Sequence, residues 1–248
     1  QQIFLSKEDS DMYLCDMHTH TIASGHGTSC TIADMAKAAA GKGLALLGIT
    51  DHGPATMAAG TPSYFRSLAS APRKRCGIRV CYGVELNIVD FSGNVDLEED
   101  VLSSLDYAIA SMHLPNLRPG SRTANTLAYR LAMRHPAVRM IGHCDDTRYP
   151  VDYEELASAA AEYGVILEVN NSSLSPDGYR GDTRGNNRAL LAACRKHQVP
   201  VLLSSDSHGP AHVGDFTWAE AMIKEASFPE ELVLNDKPEK VLKILGVR

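Results

Sequence analysis

An α/β fold of repeated βα units is predicted by three features of this chain. Short β-rich apolar runs recur seven times, helical patterns separate most of them, and no low-complexity linker or change of composition interrupts the alternation. Runs of that kind build parallel strands with crossover helices. At 248 residues the chain has the length of one barrel-sized domain, so a single domain over 1–248 is expected. Seven units without a second zone of composition favour a closed or nearly closed barrel. An open doubly wound sheet carries the same local signature, and the pattern alone leaves both open.

The elements follow in order. Strands are expected at Tyr13–Met17, Leu46–Thr50, Arg79–Val84, Tyr107–Ser111, Val138–Gly142, Val165–Val169 and Val201–Ser205. Helices are expected at Thr31–Lys42, Thr123–Arg134, Asp152–Tyr163 and Asn186–Lys196. Thr31-Ile-Ala-Asp34 reads as a capping box, and Pro238 suits the first turn of a last helix ending near Gly246. The Gly-, Pro- and Ser-rich stretches Gly53–Pro62 and Ser175–Asn187 are candidate lids or substrate loops.

Composition removes several classes of function. The chain carries 24 Lys and Arg against 30 Asp and Glu, a net charge of −6 without blocks of like charge, which disfavours polymeric nucleic acid as a partner. With 44% apolar and 22% charged residues it can bury a sizeable core, and no stretch approaches the roughly 20 apolar residues of a membrane span. Six cysteines without a Cys-x-x-Cys spacing suit reduced thiols and a cytoplasmic location. Residues 1–12 begin with Gln and lack the apolar centre of a secretion signal, so they are expected to be a flexible, processed or tag-derived segment.

Seven of ten histidines stand at or just after the carboxyl end of an expected strand: His18, His20, His26, His52, His113, His143 and His208. Ligands gather at that end in barrels and open α/β sheets alike, so residues distant in sequence meet there. In Asp16-Met-His18-Thr-His20 the two imidazoles are two residues apart, and extended backbone points them to one side. Ser205-Asp206-Ser-His208 repeats that geometry with a carboxylate, and Glu85 ends the third strand. Zinc takes about four ligands, so this supply implies more than one divalent ion. His135, His197 and His212 lie at helix ends or in a loop and read as structural. Asp16 and Asp51, each near a ligand histidine, are candidates to orient imidazoles or move a proton, or else cap a strand end or turn.

Asp16-Met-His-Thr-His20, His26, Ile49-Thr-Asp-His-Gly53, Gly83-Val-Glu85, His113, Gly142-His143, Glu168-Val-Asn-Asn-Ser-Ser173 and Ser205-Asp-Ser-His208 run in order along nearly the whole chain. As a set they resemble the PHP (polymerase and histidinol phosphatase) superfamily, and within it the small stand-alone bacterial phosphatases of the YcdX type. The resemblance implies a distorted seven-stranded (β/α)7 barrel with three divalent ions, zinc foremost and manganese or iron as alternatives. Carried over by position, His18, His20, Glu85 and Asp206 would hold one ion, Glu85, His113 and His143 a second, and His26, His52 and His208 a third. Where such phosphatases tend to have Pro-Gly, His143 is followed here by Cys144-Asp145-Asp146. These three are either turned to solvent or alter the metal preference or substrate pocket.

The function this implies is hydrolysis of a small phosphate monoester by a metal-bound hydroxide in line with phosphorus, without a covalent enzyme intermediate. Three ions bring about +6 and their two carboxylates return about −2, a balance that attracts an anionic phosphorylated substrate. Arg180, Arg184 and Arg188 recur every four residues, and Arg118 follows His113; these are candidate substrate contacts or a solvated face. A PHP-type nuclease or histidinol phosphatase, an amidohydrolase-like enzyme and a non-catalytic barrel are the competing readings. The oligomeric state is not legible.

Overall fold

The computed structural model describes residues 13–247; the segment 1–12, expected to be flexible, lies outside the described residues. Seven parallel strands form a nearly closed barrel: β1 (Cys15–Asp16), β2 (Leu46–Ile49), β4 (Ile78–Asn87), β5 (Tyr107–Ser111), β6 (Val138–Ile141), β7 (Ile166–Asn170) and β8 (Val201–Ser204). They pair in chain order. A two-residue strand, β3 (Lys74–Arg75), turns back on β4 as a hairpin outside that path. Each expected strand is present, with ends moved by a few residues.

Helices cover the outside. The four expected ones are α1 (Ile32–Gly41), α4 (Arg122–Ala132), α5 (Tyr153–Tyr163) and α7 (Arg184–His197). Thr31 and Asp34 exchange both bonds of the capping box on α1, and Pro238 opens α9 (Pro238–Leu245), which Gly246 ends in the left-handed conformation. Four were not expected: α2 (Pro62–Leu68), α3 (Glu99–Leu102), α6 (Asn171–Leu174) and α8 (Thr217–Glu225). All four are short, one to two and a half turns, too brief for a 3.6-residue apolar period to stand out. None of the described helices is long and apolar enough to cross a membrane.

Side chains alternate along each strand, and the interior series changes character from one end of the barrel to the other. Cys15, Met17, Leu46, Cys81, Tyr107, Ile109, Met140, Ile166 and Leu202 pack together inside, capped from below by Val241, Leu242 and Leu245 of α9. Every second residue onward becomes polar: Glu85 and Asn87 after Cys81, Ser111 and His113 after Ile109, Glu168 and Asn170 after Ile166. The same chain of alternate residues leads from Leu202 through Ser204 to Asp206, and from Leu46 through Thr50 to His52. Outward-facing Leu47, Val80, Val84, Ala108, Leu167 and Leu203 join the helices in the larger core.

Tyr107 separates the apolar layer from the polar one. Its hydroxyl donates to the Met17 carbonyl at 2.6 Å, and Gly48 makes room, since a Cβ there would strike that hydroxyl. Closure between β8 and β1 is local. Above the apolar layer Thr19 pairs with Ser207, His20 N–H donates to Ser207 (2.9 Å) and Asp206 N–H donates to His18 (3.0 Å). Below, where β1 and β8 do not pair, the buried Asn235 side chain fills the seam. It accepts from Leu203 N–H at 2.9 Å and donates to the Cys15 and Leu203 carbonyls at 3.0 and 2.7 Å.

Replacing Asn235 by Ala leaves these buried backbone groups unpaired. Each of the three orphaned groups costs roughly 1–3 kcal/mol, so Asn235→Ala should lose about 3 kcal/mol or more in all, read as a lower midpoint in urea unfolding at unchanged slope.

Candidate metal centre

Glu85 sits at the middle of the polar layer, fully buried on β4, with five imidazoles around its carboxylate. His143 Nε2 lies 2.8 Å from Oε1, His113 Nε2 3.3 Å and His18 Nε2 3.4 Å; His52 Nδ1 lies 2.6 Å from Oε2 and His20 Nε2 3.6 Å. Asp206 brings a second carboxylate, Oδ1 standing 3.1 Å from His20 Nε2 and 3.6 Å from His18 Nε2. His208 stacks on His20 with ring centres 4.1 Å apart. His26 is more exposed, on the Gly-rich loop, with its ring 5.0 Å from His52 and 5.1 Å from His208. Gly27 has φ +80, and a Cβ there would press on the His208 ring at 2.7 Å, so the loop's approach depends on glycine. All nine metal-ligand candidates from the sequence therefore meet in one place.

The surroundings fix which nitrogen each ring presents. A carboxylate or carbonyl oxygen can only accept, so His18 Nδ1–H donates to Glu168 Oε1 (2.7 Å), and His26 and His208 donate from Nδ1 to the Ser24 and Asp206 carbonyls. His113 Nδ1–H donates to Asn87 Oδ1 (2.7 Å), and His20 Nδ1–H to Ser24 Oγ (2.8 Å), whose own hydrogen goes to Asp51. In these five rings Nε2 is the nitrogen turned toward the cluster. His18, His20 and His208 Nε2 and Glu85 Oε2 are buried with no hydrogen-bond partner.

Orphaned buried acceptors in contact are costly unless a cation lies among them. Zinc bonds of about 2.0–2.1 Å in a tetrahedron set neighbouring donors about 3.3–3.4 Å apart; His113 and His18 stand at 3.3 and 3.4 Å from Glu85 Oε1, while His143 and His52 are closer to the carboxylate, at 2.8 and 2.6 Å. Three groups have ligand atoms close enough to hold an ion: His18, His20 and Glu85; His52, Glu85 and His113; and His20, His52 and His208. The donor set fits divalent metal. His26, His143 and Asp206 are outside these groups, and His20, His52 and Glu85 each stand in two of them.

Electrostatics separate the rings: burial opposes charge on His18, but Glu168, Glu85 and Asp206 outweigh it and raise this imidazole well above its ordinary value. Three buried carboxylates, Glu85, Glu168 and Asp206, face one buried guanidinium among the described residues, Arg180. Burial opposes the charged form of Glu85, but His113, His18 and His52 outweigh it and hold the carboxyl well below its ordinary range. Burial likewise opposes charge on Asp206, and His18 and Arg180 bring it well down. Burial, with His143 and His52 adding to it and Glu85 opposing, pushes His113 down to about 4, and burial with His208 and His52 keeps His20 well below the usual value. His113 and His20 are thus neutral and able to donate lone pairs near pH 7. Asp206 and His143 have positive φ, 53° and 26°, a conformation that side chains other than glycine rarely adopt. Such strain is a common mark of functional positions.

Several candidates stand elsewhere than at the reacting face. Asp16 accepts from Ser205 N–H and Oγ–H and from Gly214 N–H, so it fastens the seam that carries Asp206. Asp51 is saturated by Thr21 N–H and Oγ–H, Ser24 Oγ–H and Tyr64 O–H, and reaches His20 only through Ser24. Arg180 turns inward and donates to Asp206 Oδ2 (2.9 Å) and Ser173 Oγ (3.1 Å). Arg184 and Arg188 are not brought to the site: both pair with Glu225 of α8 across the outer face of α7. Arg118 is exposed and lines neither cavity beside the cluster.

Cys144, Asp145 and Asp146 do not face solvent; all three are buried. Burial drives the Cys144 thiol well above its normal value, which leaves it unreactive. His135 and His197 pair with Glu99 and Glu154 at 2.6 and 2.7 Å, away from the cluster. His212 is exposed and 3.9 Å from Asp215.

Glu168 and Asn87 carry roles that sequence reasoning left unassigned. Besides His18, Glu168 accepts from His143 N–H at 2.6 Å, and Asn87 aims His113 while tied to Asp96. The available signal was a carboxylate at an inward position between Leu167 and Val169.

The PHP domain model matches residues 16–174. This chain belongs to the PHP domain family. It is 38% identical over 233 residues to a probable phosphatase of Clostridium novyi, covering 94% of each chain, and 39% identical over 237 residues to a probable phosphatase of Citrobacter koseri, covering 96% of each. Among solved structures it resembles the histidinol phosphate phosphatase of Lactococcus lactis, solved with zinc, L-histidinol and phosphate. The TM-score is 0.56 at 18% identity, over 88% of this chain and 95% of that one. A chain of an archaeal ribonuclease P assembly with tRNA matches with a TM-score of 0.54 at 14% identity, over 93% and 90%. These last two likenesses speak for the barrel fold alone.

Glu168→Gln keeps an acceptor but loses the charge that holds His18 and His143 in place. Zinc affinity measured by chelator competition should fall about 10–100-fold, the usual effect of disturbing a ligand's orienting partner.

Proposed function

We propose that this PHP-domain chain is a metal-dependent phosphatase acting on a small phosphate monoester, with three divalent ions, zinc foremost, held by the nine side chains. The carrying observation is the set of buried, partnerless Nε2 and carboxylate atoms gathered about Glu85. His18, His20, Glu85 and Asp206 would form one ligand set, Glu85, His113 and His143 a second, and His26, His52 and His208 a third. The relatives named probable phosphatases, alike over nearly their whole length, support the same reaction.

When bound, divalent ions supply positive charge for the phosphoryl oxygens and lower the pKa of water near neutrality. The chain's own contribution is placement. Glu85 presents one oxygen to His18, His113 and His143 and the other to His20 and His52, so it can join neighbouring ligand sets. Glu168, Asn87 and Ser24 hold three rings with their donor nitrogens inward before substrate arrives, so no side-chain ordering remains for the reaction step. Arg180 and Asn170 clamp Asp206 Oδ2 and leave Oδ1 toward the histidines. Tyr107 and the apolar layer beneath exclude water from below, so substrate enters from the loop side. The six free thiols suit a reducing cytoplasm.

Protein purified without chelator should contain about three divalent ions per chain and cleave p-nitrophenyl phosphate in a metal-dependent way. Uptake of at most one ion at saturation contradicts the trinuclear site, and cleavage of amides but no phosphate ester would replace the phosphatase reading. Glu85→Gln should lose more metal and more turnover than His26→Ala, because its carboxylate serves two sets while His26 serves one. Circular dichroism verifies that both are folded.

A further inference from the structure

Two cavities open beside the cluster, and Tyr179 and His208 line both. One, about 390 Å³, is bordered by Asp177, Asp215 and Trp218 and by no Lys or Arg among the described residues. The other, about 440 Å³, is lined by His26, His52 and His113 and also by Arg148, Leu114 and Pro115. Both fall within the volume range of small-molecule sites. Their chemistry differs, and Arg148 makes the difference.

Asp146 fixes Arg148. Its carboxylate accepts from Arg148 Nε at 2.8 and 3.1 Å, from Nη2 at 2.5 Å and from the backbone N–H at 3.0 Å. Asp146 is almost wholly buried while the guanidinium stays partly exposed. The guanidinium lies over the Tyr179 ring, Cζ 5.1 Å from its centre, which restrains it from a second side. Nη1 makes no hydrogen bond among the described residues, so its two hydrogens remain for a ligand. A planar donor held in place by a buried carboxylate and an aromatic face loses little entropy on binding an anion. An anion in the neighbouring cavity would meet Asp177 and Asp215 instead.

We infer that Arg148, held by Asp146 and Tyr179, is a specificity determinant for a second anionic group on the substrate. The substrate class is a phosphomonoester whose leaving group has a short apolar spacer, lying against Leu114 and Pro115, and ends in a carboxylate or second phosphate. This rests on the phosphatase reading for the phosphoryl end, and it assigns the far end. Asp146 thereby gains a purpose: it sits beside His143 to aim Arg148.

The test is calorimetric binding of four uncleavable ligands to zinc-loaded protein: butylphosphonate, 4-phosphonobutyrate, butane-1,4-diphosphonate and 4-aminobutylphosphonate. A charge-assisted bond should make at least one anionic tail bind about 10–100-fold tighter than the butyl chain, and the better of the two identifies the anion. The amine tail should bind no better than butyl. Arg148→Met should erase most of the anionic advantage, and Arg148→Lys should restore part of it. Equal binding of all tails by the wild type, tightest binding of the amine, or an advantage that survives Arg148→Met overturns the inference. Should Arg148→Met not fold, the wild-type ranking decides. Failure of every phosphonate to bind overturns the inference and the phosphatase reading together. Tail discrimination without any turnover of p-nitrophenyl phosphate overturns the phosphatase reading alone.

Discussion

A carboxylate buried among imidazoles, Glu85, is the constraint on which the rest of this molecule depends. Taking such a charge out of water costs several kcal/mol unless counter-charge and hydrogen bonds compensate. Five imidazoles face it, and Glu168 and Asp206 add further buried negative charge close by. Arg180 offsets one charge and is itself committed to Asp206 and Ser173. Cations among the ligand atoms satisfy this arrangement. Neutral packing does not.

The barrel makes the arrangement affordable by dividing its interior. Alternation along each strand places Cys81, Ile109, Ile166 and Leu202 in a packed lower layer and brings Glu85, His113, Glu168 and Asp206 to the upper one. Stability thus comes from one end and chemistry from the other, with Tyr107 as the partition. The weak seam between β1 and β8 is stapled at both levels, by Asn235 below and Asp16 above. Asp16 is therefore coupled to the site mechanically: it fastens the turn that presents Asp206.

Much of this was legible in the residues. Strands with Val, Ile and Leu ending in His, Asp or Glu gave the parallel βα units and the gathering of ligands at one end of the sheet, whereas the closed seven-stranded barrel was implied by the family resemblance. What was hidden depended on long-range contact. Whether Arg184 and Arg188 face substrate or Glu225 is decided by α8, a short helix without a readable period. Asp51 is adjacent to His52, and extended backbone sends it to the opposite face. Asp16 is two residues from His18 and is turned away because the alternation breaks where Met17 and His18 both face inward. Cys144, Asp145 and Asp146 look like a polar loop, and only the packed Tyr153, Asn187 and Arg148 around them explain their burial.

Anomalous diffraction at the zinc edge from crystals grown with zinc tests the central claim most directly, since it locates ions without reference to activity. The account predicts two peaks sharing the Glu85 carboxylate, each within coordination distance, and a third against His208. A single peak remote from Glu85, or a Glu85 carboxylate bonded only to protonated imidazoles in zinc-saturated crystals, would contradict it.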